Sequence, residues 1–282
     1  MPSRVVKSPD GREVLKRGRR VALFTNGAQT VILSGPRRSF KDGPVTVEHD
    51  VWVRLTPTGY AGDHDEKWLT SALRANEDGK PDVLAIAMQY LEGADAIRAN
   101  GLVIAGSANY GPEGADGIPE EGADFNDFLG IKWGSDQPEP DQIGCLDCSG
   151  YVRMIFGYRT HKPNAARVVA LSSAIGPQQL PRRAYQMFAG APGVLVTVRA
   201  GGQPPDVAKL KPGDLMFFKA DAKDANEADH VGIFLGADAD GGLRFVSSRK
   251  TANGPMFTDV GGASVLTGQG LYARSFVGAR RI

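Results

Sequence analysis

Apolar and polar positions along this chain alternate first at the spacing of strands, then at that of a helix, and then again as strands. Between Arg19 and Tyr60, Asn-Gly, Gly-Pro and Asp-Gly turn signals separate four β-rich runs: RRVALF, QTVILSG, PVTVEHD and VWVRL. This pattern predicts a small β-rich module over residues 1–60. The polar stretch AGDHDEK that follows indicates a linker over residues 61–80.

A helical pattern follows the predicted linker and opens a second domain over residues 81–282. Pro81 and Asp82 are typical of a helix start, and Gly93 of a helix end. Between them an apolar stripe of helical period comprises Val83, Ile86, Ala87, Tyr90 and Leu91. Residues 101–141 have no clear period and are rich in Gly, Pro and acids, which predicts an ordered loop with a short helix in DFNDFLGIKW.

The next helical segment carries a cysteine in its first turn. Asp147 is a favoured N-cap residue, and Gly157 is a favoured stop. The helical period puts one set of side chains on the same face: Cys148, Val152, Ile155 and Phe156. The thiol of Cys148 is therefore expected to point inward from the start of a packed helix.

Strand patterns return in the last third of the chain, after a helix predicted over Gln178–Phe188. The β-rich segments are PGDLMFF, DHVGIFLG, LRFVSS and the C-terminal SFVGARRI. In DHVGIFLG, His230, Gly232 and Phe234 share one face, and both faces are apolar, which predicts an inner strand. We expect Gly232 to let a helix pack beside the histidine.

Charge is unevenly distributed although the net charge is only +1. Residues 1–54 carry eleven Lys and Arg against five Asp and Glu, whereas residues 110–141 carry nine acids against one lysine. The basic module and the acidic insert (residues 101–141) could attract each other, or the basic end could contact an anionic polymer. No aromatic-interleaved basic motif indicates nucleic-acid binding.

No apolar run approaches the roughly 18 residues that a membrane span requires. The basic start of the chain is not followed by the apolar stretch of a secretory signal. We therefore expect the protein to be cytoplasmic at synthesis, so that action at the cell envelope would require another export route.

The two cysteines, Cys145 and Cys148, are three residues apart, which permits a redox pair, half of a metal site or a nucleophile. A thioredoxin-like pair is expected in a βαβ pattern, which this region lacks. A zinc site needs about four ligands. The histidines that could complete one have no metal-ligand spacing: His49, His64, His161 and His230. No metal is therefore predicted, and two cysteines are too few for a disulfide scaffold.

A nucleophile accounts better for this pattern. A helix N-terminus lowers the pKa of a thiol, which favours Cys148 over Cys145 because Cys145 lies before the cap. A nucleophilic cysteine also needs a nearby base, usually histidine. His230 is the histidine that begins a strongly β-patterned segment. On the pattern alone, a lone histidine on such a strand is more often a structural residue with its hydrogen bonds satisfied.

The segments LDCSGYV, KPGDLMFF and DHVGIFLG, in this order, resemble the three sequence blocks of the NlpC/P60 family of cysteine peptidases. The similarity covers roughly residues 81–282. It implies an α+β fold with a papain-like core in which the cysteine helix packs on an antiparallel sheet, with Cys148 as nucleophile and His230 as general base. It also implies cleavage of amide bonds in peptidoglycan stem peptides or muropeptides, between D-γ-glutamyl and a diamino acid, without a cofactor. The N-terminal module resembles the bacterial SH3-like domains that accompany this core.

The resemblance extends to residues around the predicted pair. Asp147 and Ser149 occupy positions where they can bind a substrate amine, although both also suit helix capping. Asp229 could favour an amine-bearing substrate or belong to a solvated loop. Arg153 could meet a substrate carboxylate or be an exposed helix residue.

Ser247 departs from the family pattern. The family has His, Asn or Gln at this position to hold the imidazole of the base. Strand parity puts Ser247 on the face next to His230, where its hydroxyl could accept the ring N–H. A water or a side chain such as Asn253 could orient the ring instead.

Other functions remain compatible with the sequence. The same fold could transfer the acyl group to an amine, act as an effector on another amide or ester, or bind the wall without catalysis. Ser247 favours the non-catalytic alternative, while the intact pair of Cys148 and His230 argues against it. We expect the acidic insert to cover the cleft.

Overall fold

The fold is taken from a computed structural model that describes residues 4–8, 11–160, 169–176 and 178–282. An N-terminal sheet has five antiparallel strands in sequential order. The strands are β1 (Arg4–Ser8), β2 (Gly11–Lys16), β3 (Arg19–Thr25), β4 (Thr30–Asp42) and β5 (Val45–Leu55). The four β-rich runs predicted from the sequence lie in β3, β4 and β5. The runs PVTVEHD and VWVRL form one strand because both pair with the long β4 across a register shift.

Helix α1 (Glu66–Glu77) occupies most of the segment for which a linker was predicted. Asp65 caps it, and the inward residues Leu69, Ala72 and Asn76 follow a helical spacing. Leu69 and Ala72 join the apolar cluster on one face of the N-terminal sheet. This segment is therefore a packed helix and not a simple connection.

The next elements bring the chain to the acidic insert. Asp82 caps α2 (Val83–Met88) by accepting from the N–H of Ala85, as predicted, but the helix ends before Gly93. A short hairpin of β6 (Ile97–Ala99) and β7 (Leu102–Ala105) follows. Irregular chain then leads to α3 (Phe125–Leu129), which confirms the short helix predicted in DFNDFLGIKW.

The cysteine helix is α4 (Cys148–Arg153), and it continues as a π-helical turn at Met154–Tyr158. A short parallel pair then joins β8 (Ala170–Leu171) to β9 (Gln179–Leu180). The helix predicted over Gln178–Phe188 begins later, as α5 (Ala184–Gly190), because its first residues pair with β8.

A second, six-stranded antiparallel sheet forms the centre of the C-terminal part. Its strands are β10 (Val194–Val198), β11 (Leu215–Phe218), β12 (His230–Ala237), β13 (Leu243–Arg249), β14 (Gly254–Met256) and, after α6 (Leu271–Ser275), β15 (Phe276–Arg281). The spatial order is β10-β15-β11-β12-β13-β14. Thus β12 is an inner strand, as predicted. The fold is mixed α and β, dominated by antiparallel sheets.

The two sheets share one apolar core. Val47 and Val53 of the first sheet belong to the same buried cluster as Val231 of the second. Polar contacts reinforce this joint. Buried Arg281 donates to both Asp214 oxygens and to Thr25 Oγ1. The N-terminal sheet therefore forms part of the wall behind the second sheet. Across the described ranges, no helix is long and apolar enough to cross a membrane.

Candidate active site

Cys148 is held in place by the acidic insert and by β12. The N–H groups of Leu146 and Asp147 donate to the carbonyls of Asn109 and Ala123. Gly150 permits this close approach, since a Cβ there would lie 2.2 Å from the Ala123 oxygen. The glycine of the Ser-Gly pair after Cys148 is thus required by the close approach of the Ala123 carbonyl.

The thiol lies in the first turn of α4 and is only 2% exposed, and the nearby backbone N–H of Val231 favours its ionised form. Its sulfur therefore faces the strand that carries His230. This agrees with the inward direction predicted from the helical period.

His230 begins β12, and its ring packs beside Tyr272 and Phe218. Its Nε2 lies 3.0 Å from Ser247 Oγ on β13, which confirms the neighbourhood predicted from strand parity. With the proton on Nε2, the ring donates to Ser247 and Nδ1 is left as the basic atom.

The neighbours that pack closely against Gly232 belong to β13 and not to a helix. The predicted packing of a helix beside this glycine is therefore wrong. A Cβ at this position would lie 2.7 Å from the Phe245 ring and 3.1 Å from Ser247 Cβ. The absence of a side chain at Gly232 therefore lets Ser247 come within reach of the imidazole. The alternative orienting residue Asn253 is engaged elsewhere, since its Oδ1 accepts from the N–H of Tyr110.

Arg249 brings a buried positive charge close to His230, and the sequence patterns did not indicate it. Its guanidinium carbon lies 4.4 Å from the centre of the Tyr272 ring, and its Nε donates to Ser247 Oγ at 3.3 Å. The group is 2% exposed and also donates to Gly262 O and Ser264 Oγ. Burial, and then the charge of Arg249, lower the pKa of His230 to about 3. The resting imidazole is therefore neutral.

The thiol is also neutral at rest. Burial raises the pKa of Cys148 well above its usual range, and the charges of Asp147 and Glu121 raise it further. The N–H of Val231 opposes this shift but does not reverse it. The expected low pKa at the helix N-terminus is thus wrong for the free protein, because desolvation outweighs one helical turn. Burial raises the pKa of Cys145 as well.

Asp147 and Ser149 are both engaged by Arg182. Asp147 is fully buried and accepts from Gly150 N at 2.7 Å, from Ser149 Oγ, and from Arg182 through both oxygens at 3.1 and 2.7 Å. Arg182 also donates to Ser149 Oγ at 2.6 Å. Burial alone would raise the pKa of Asp147, but Arg182 and these hydrogen bonds hold it below its usual value. Capping is therefore established for Asp147.

Arg153 is neither exposed nor free for a substrate, which corrects both expectations for it. Its side chain is fully buried, with Nε 3.0 Å from each oxygen of Asp124. Its Nη1 donates to the carbonyls of Ser172 and Leu180 at 2.7 Å. The residue ties the insert and the 172–180 segment to the cysteine helix.

Two adjoining cavities open over the predicted pair. One, of about 230 Å³, is lined by Cys148 and Ser149, and the other, of about 350 Å³, by His230 and Tyr110. Both are lined by Glu121, Asp224 and Asp229.

The acidic insert contributes Tyr110 and Glu121 to these walls, as expected for a segment that covers the cleft. Glu121 lies 3.7 Å from both Arg183 and Lys250. Asp229 is half-buried, and its oxygens accept from Ala220 N and Asp221 N, so it also closes the loop before β12.

Metal ligands do not cluster in the part of the chain that the structure describes, where no group of three or more His, Cys, Asp or Glu could hold an ion. His161 lies outside the described residues.

Residues 131–258 match the model of the NlpC/P60 family. This range contains Cys148, His230 and Ser247. The comparison with curated proteins gave no match.

Proposed function

We propose that the protein is a thiol hydrolase of peptidoglycan stem peptides, because residues 131–258 match the model of the NlpC/P60 family, and that family is one of peptidoglycan-related amide hydrolases. The bond that we propose it cleaves joins D-γ-glutamyl to a diamino acid. The observation that carries this proposal is that the buried thiol of Cys148, on α4, faces β12, and that the first residue of β12, His230, is hydrogen-bonded to Ser247.

The reaction begins with a neutral thiol and a neutral imidazole. The Cys148 sulfur attacks the scissile carbonyl while His230 takes the thiol proton, so proton transfer accompanies the attack. The backbone N–H of Cys148, at the start of α4, is suited to donate to the oxyanion. Collapse expels the amine, which receives the proton from the imidazolium, and leaves a thioester. Water then attacks the thioester with His230 as base, and this releases the acid and the thiol.

We further infer that α4 and the second sheet form a papain-like core and that the N-terminal sheet is an SH3-like module. The packing of the cysteine helix on antiparallel β12 and β13 supports the first inference. The five-stranded antiparallel order supports the second. Because the module shares its core with the second sheet, it shapes the back of the catalytic part instead of only tethering it.

The proposal is tested by incubating the protein with defined muropeptides and identifying the products by mass spectrometry. We expect one amide to be hydrolysed, and expect Cys148→Ala and His230→Ala to abolish turnover while Cys145→Ala retains it. A product that carries an added amine would indicate acyl transfer instead. No product, together with retention on isolated cell walls, would indicate a non-catalytic binding protein.

A further inference from the structure

The guanidinium of Arg182 packs against Asp147 and Ser149, and these three residues form the wall beside Cys148. Arg182 donates through Nη1 to Asp147 Oδ1 and Ser149 Oγ, and through Nη2 to Asp147 Oδ2 and the Gly122 carbonyl. Its Nε lies 3.7 Å from Asp124 Oδ2. Both Nη atoms of Arg182 therefore donate to protein acceptors. Asp147 and Ser149, the two residues that flank Cys148, are among those acceptors.

The charges of this wall are balanced internally. Two buried carboxylates, Asp147 and Asp124, face two arginines, Arg182 and Arg153. At the cavity surface Arg183 is shared between Asp147, at 4.0 Å, and Glu121, at 3.7 Å. A substrate ammonium could contact Asp147 only by displacing Arg182, which would leave a guanidinium without its partner in a mostly buried site. Breaking a buried ion pair by removing one partner is strongly unfavourable. Exposed pairs such as that of Glu121 and Lys250 are much easier to separate.

We propose that Arg182 is a specificity-determining residue that closes this wall to a substrate ammonium, so that the enzyme acts on stem peptides whose first amine is acylated. This inference rests on the proposed function. Arg182 neutralises the carboxylate that Asp147 would otherwise offer as an anionic amine site, and Arg183, which lines the cavity beside Cys148, lies 4.0 Å from Asp147 Oδ2. An amide can lie against this wall without separating the pair of Asp147 and Arg182. A free ammonium would meet the charge of Arg183 there, and the carboxylates it could reach are those elsewhere in the cavity lining: Glu121, Asp224 and Asp229.

The test compares two stem peptides that are identical except that the first amine is free in one and acetylated in the other. For the wild-type chain we expect kcat/KM to be about tenfold higher for the acetylated peptide. In Arg182→Gln, the freed carboxylate of Asp147 should move the preference about tenfold toward the free amine. Arg74→Gln, which removes an exposed charge from α1, is the matched control and should leave the wild-type ratio unchanged.

Binding of both peptides to Cys148→Ala, measured by calorimetry, separates this inference from the proposed function. Tighter binding of the acetylated peptide without wild-type turnover would refute hydrolysis and support the closed wall. A wild-type preference for the free amine, in turnover or in binding, would overturn the role of Arg182. The same conclusion follows if folded Arg182→Gln keeps the wild-type ratio. The wild-type comparison decides the matter even if that variant does not fold.

Discussion

Acidification should destabilise this protein through His230. Burial and the charge of Arg249 lower the pKa of the ring to about 3, whereas a histidine in an unfolded chain has a pKa of about 6.5. Between these values the unfolded state takes up a proton that the folded state does not, so the free energy of unfolding falls as the pH falls below 6.5. The slope approaches about 1.4 kcal/mol per pH unit, and the loss between pH 7 and pH 5.5 is about 1.3 kcal/mol.

The measurement is urea unfolding at pH 7 and pH 5.5 for the wild-type chain and for His230→Gln. Burial also lowers the pKa of His49, so the wild-type slope contains both histidines and the difference between the two proteins isolates His230. We expect the wild-type chain to lose about 1.3 kcal/mol more than the variant over this interval. Equal losses in the two proteins would show that His230 is protonated in the folded state and would refute the neutral pair.

Four further outcomes follow from the same site and core. The kcat/KM on a cleavable muropeptide should stay within about twofold from pH 8 to pH 5, because His230 stays neutral; loss of half the rate near pH 6.5 would contradict this. Ser247→Ala should lower kcat about tenfold, or about 1.4 kcal/mol, by releasing the ring, and an unchanged rate would reject the orienting role. Iodoacetamide should alkylate Cys148 before Cys145, because Cys145 lines neither cavity over the pair, and the alkylation rate should still rise above pH 9 because the pKa of Cys148 is raised. If mass spectrometry finds Cys145 modified first, the two cavities are not the route to the thiols. Residues 81–282 alone should lack a cooperative urea transition because they expose the shared core, so a sharp transition would show that the module is dispensable.

Much of the second sheet could be predicted because its signals are local. Short apolar, β-rich runs mark β12 and β13, and the period of two puts Ser247 on the face of His230 once the strands pair. The Asp147 cap and the inward Cys148 are likewise properties of a single helical turn.

The rest of the site depends on residues that are distant in sequence. Arg182 reaches Asp147 across 35 positions, and Arg153 reaches Asp124 across 29. A helical period shows which side of α4 Arg153 occupies but not which segment covers that side, and the acidic insert covers it. The low pKa predicted for Cys148 is wrong for the same reason. Burial of the thiol by other elements raises its pKa more than the helix N-terminus lowers it.

The order of strands in the second sheet has a consequence for synthesis. Translation delivers β15 after all the other strands of this sheet, yet β15 lies between β10 and β11. Until it emerges from the ribosome, β11 has a bare edge and the sheet that supports β12 is incomplete. The sheet beneath the candidate site is therefore closed by the last of its six strands to be synthesised, and a nascent chain that lacks β15 has no strand between β10 and β11.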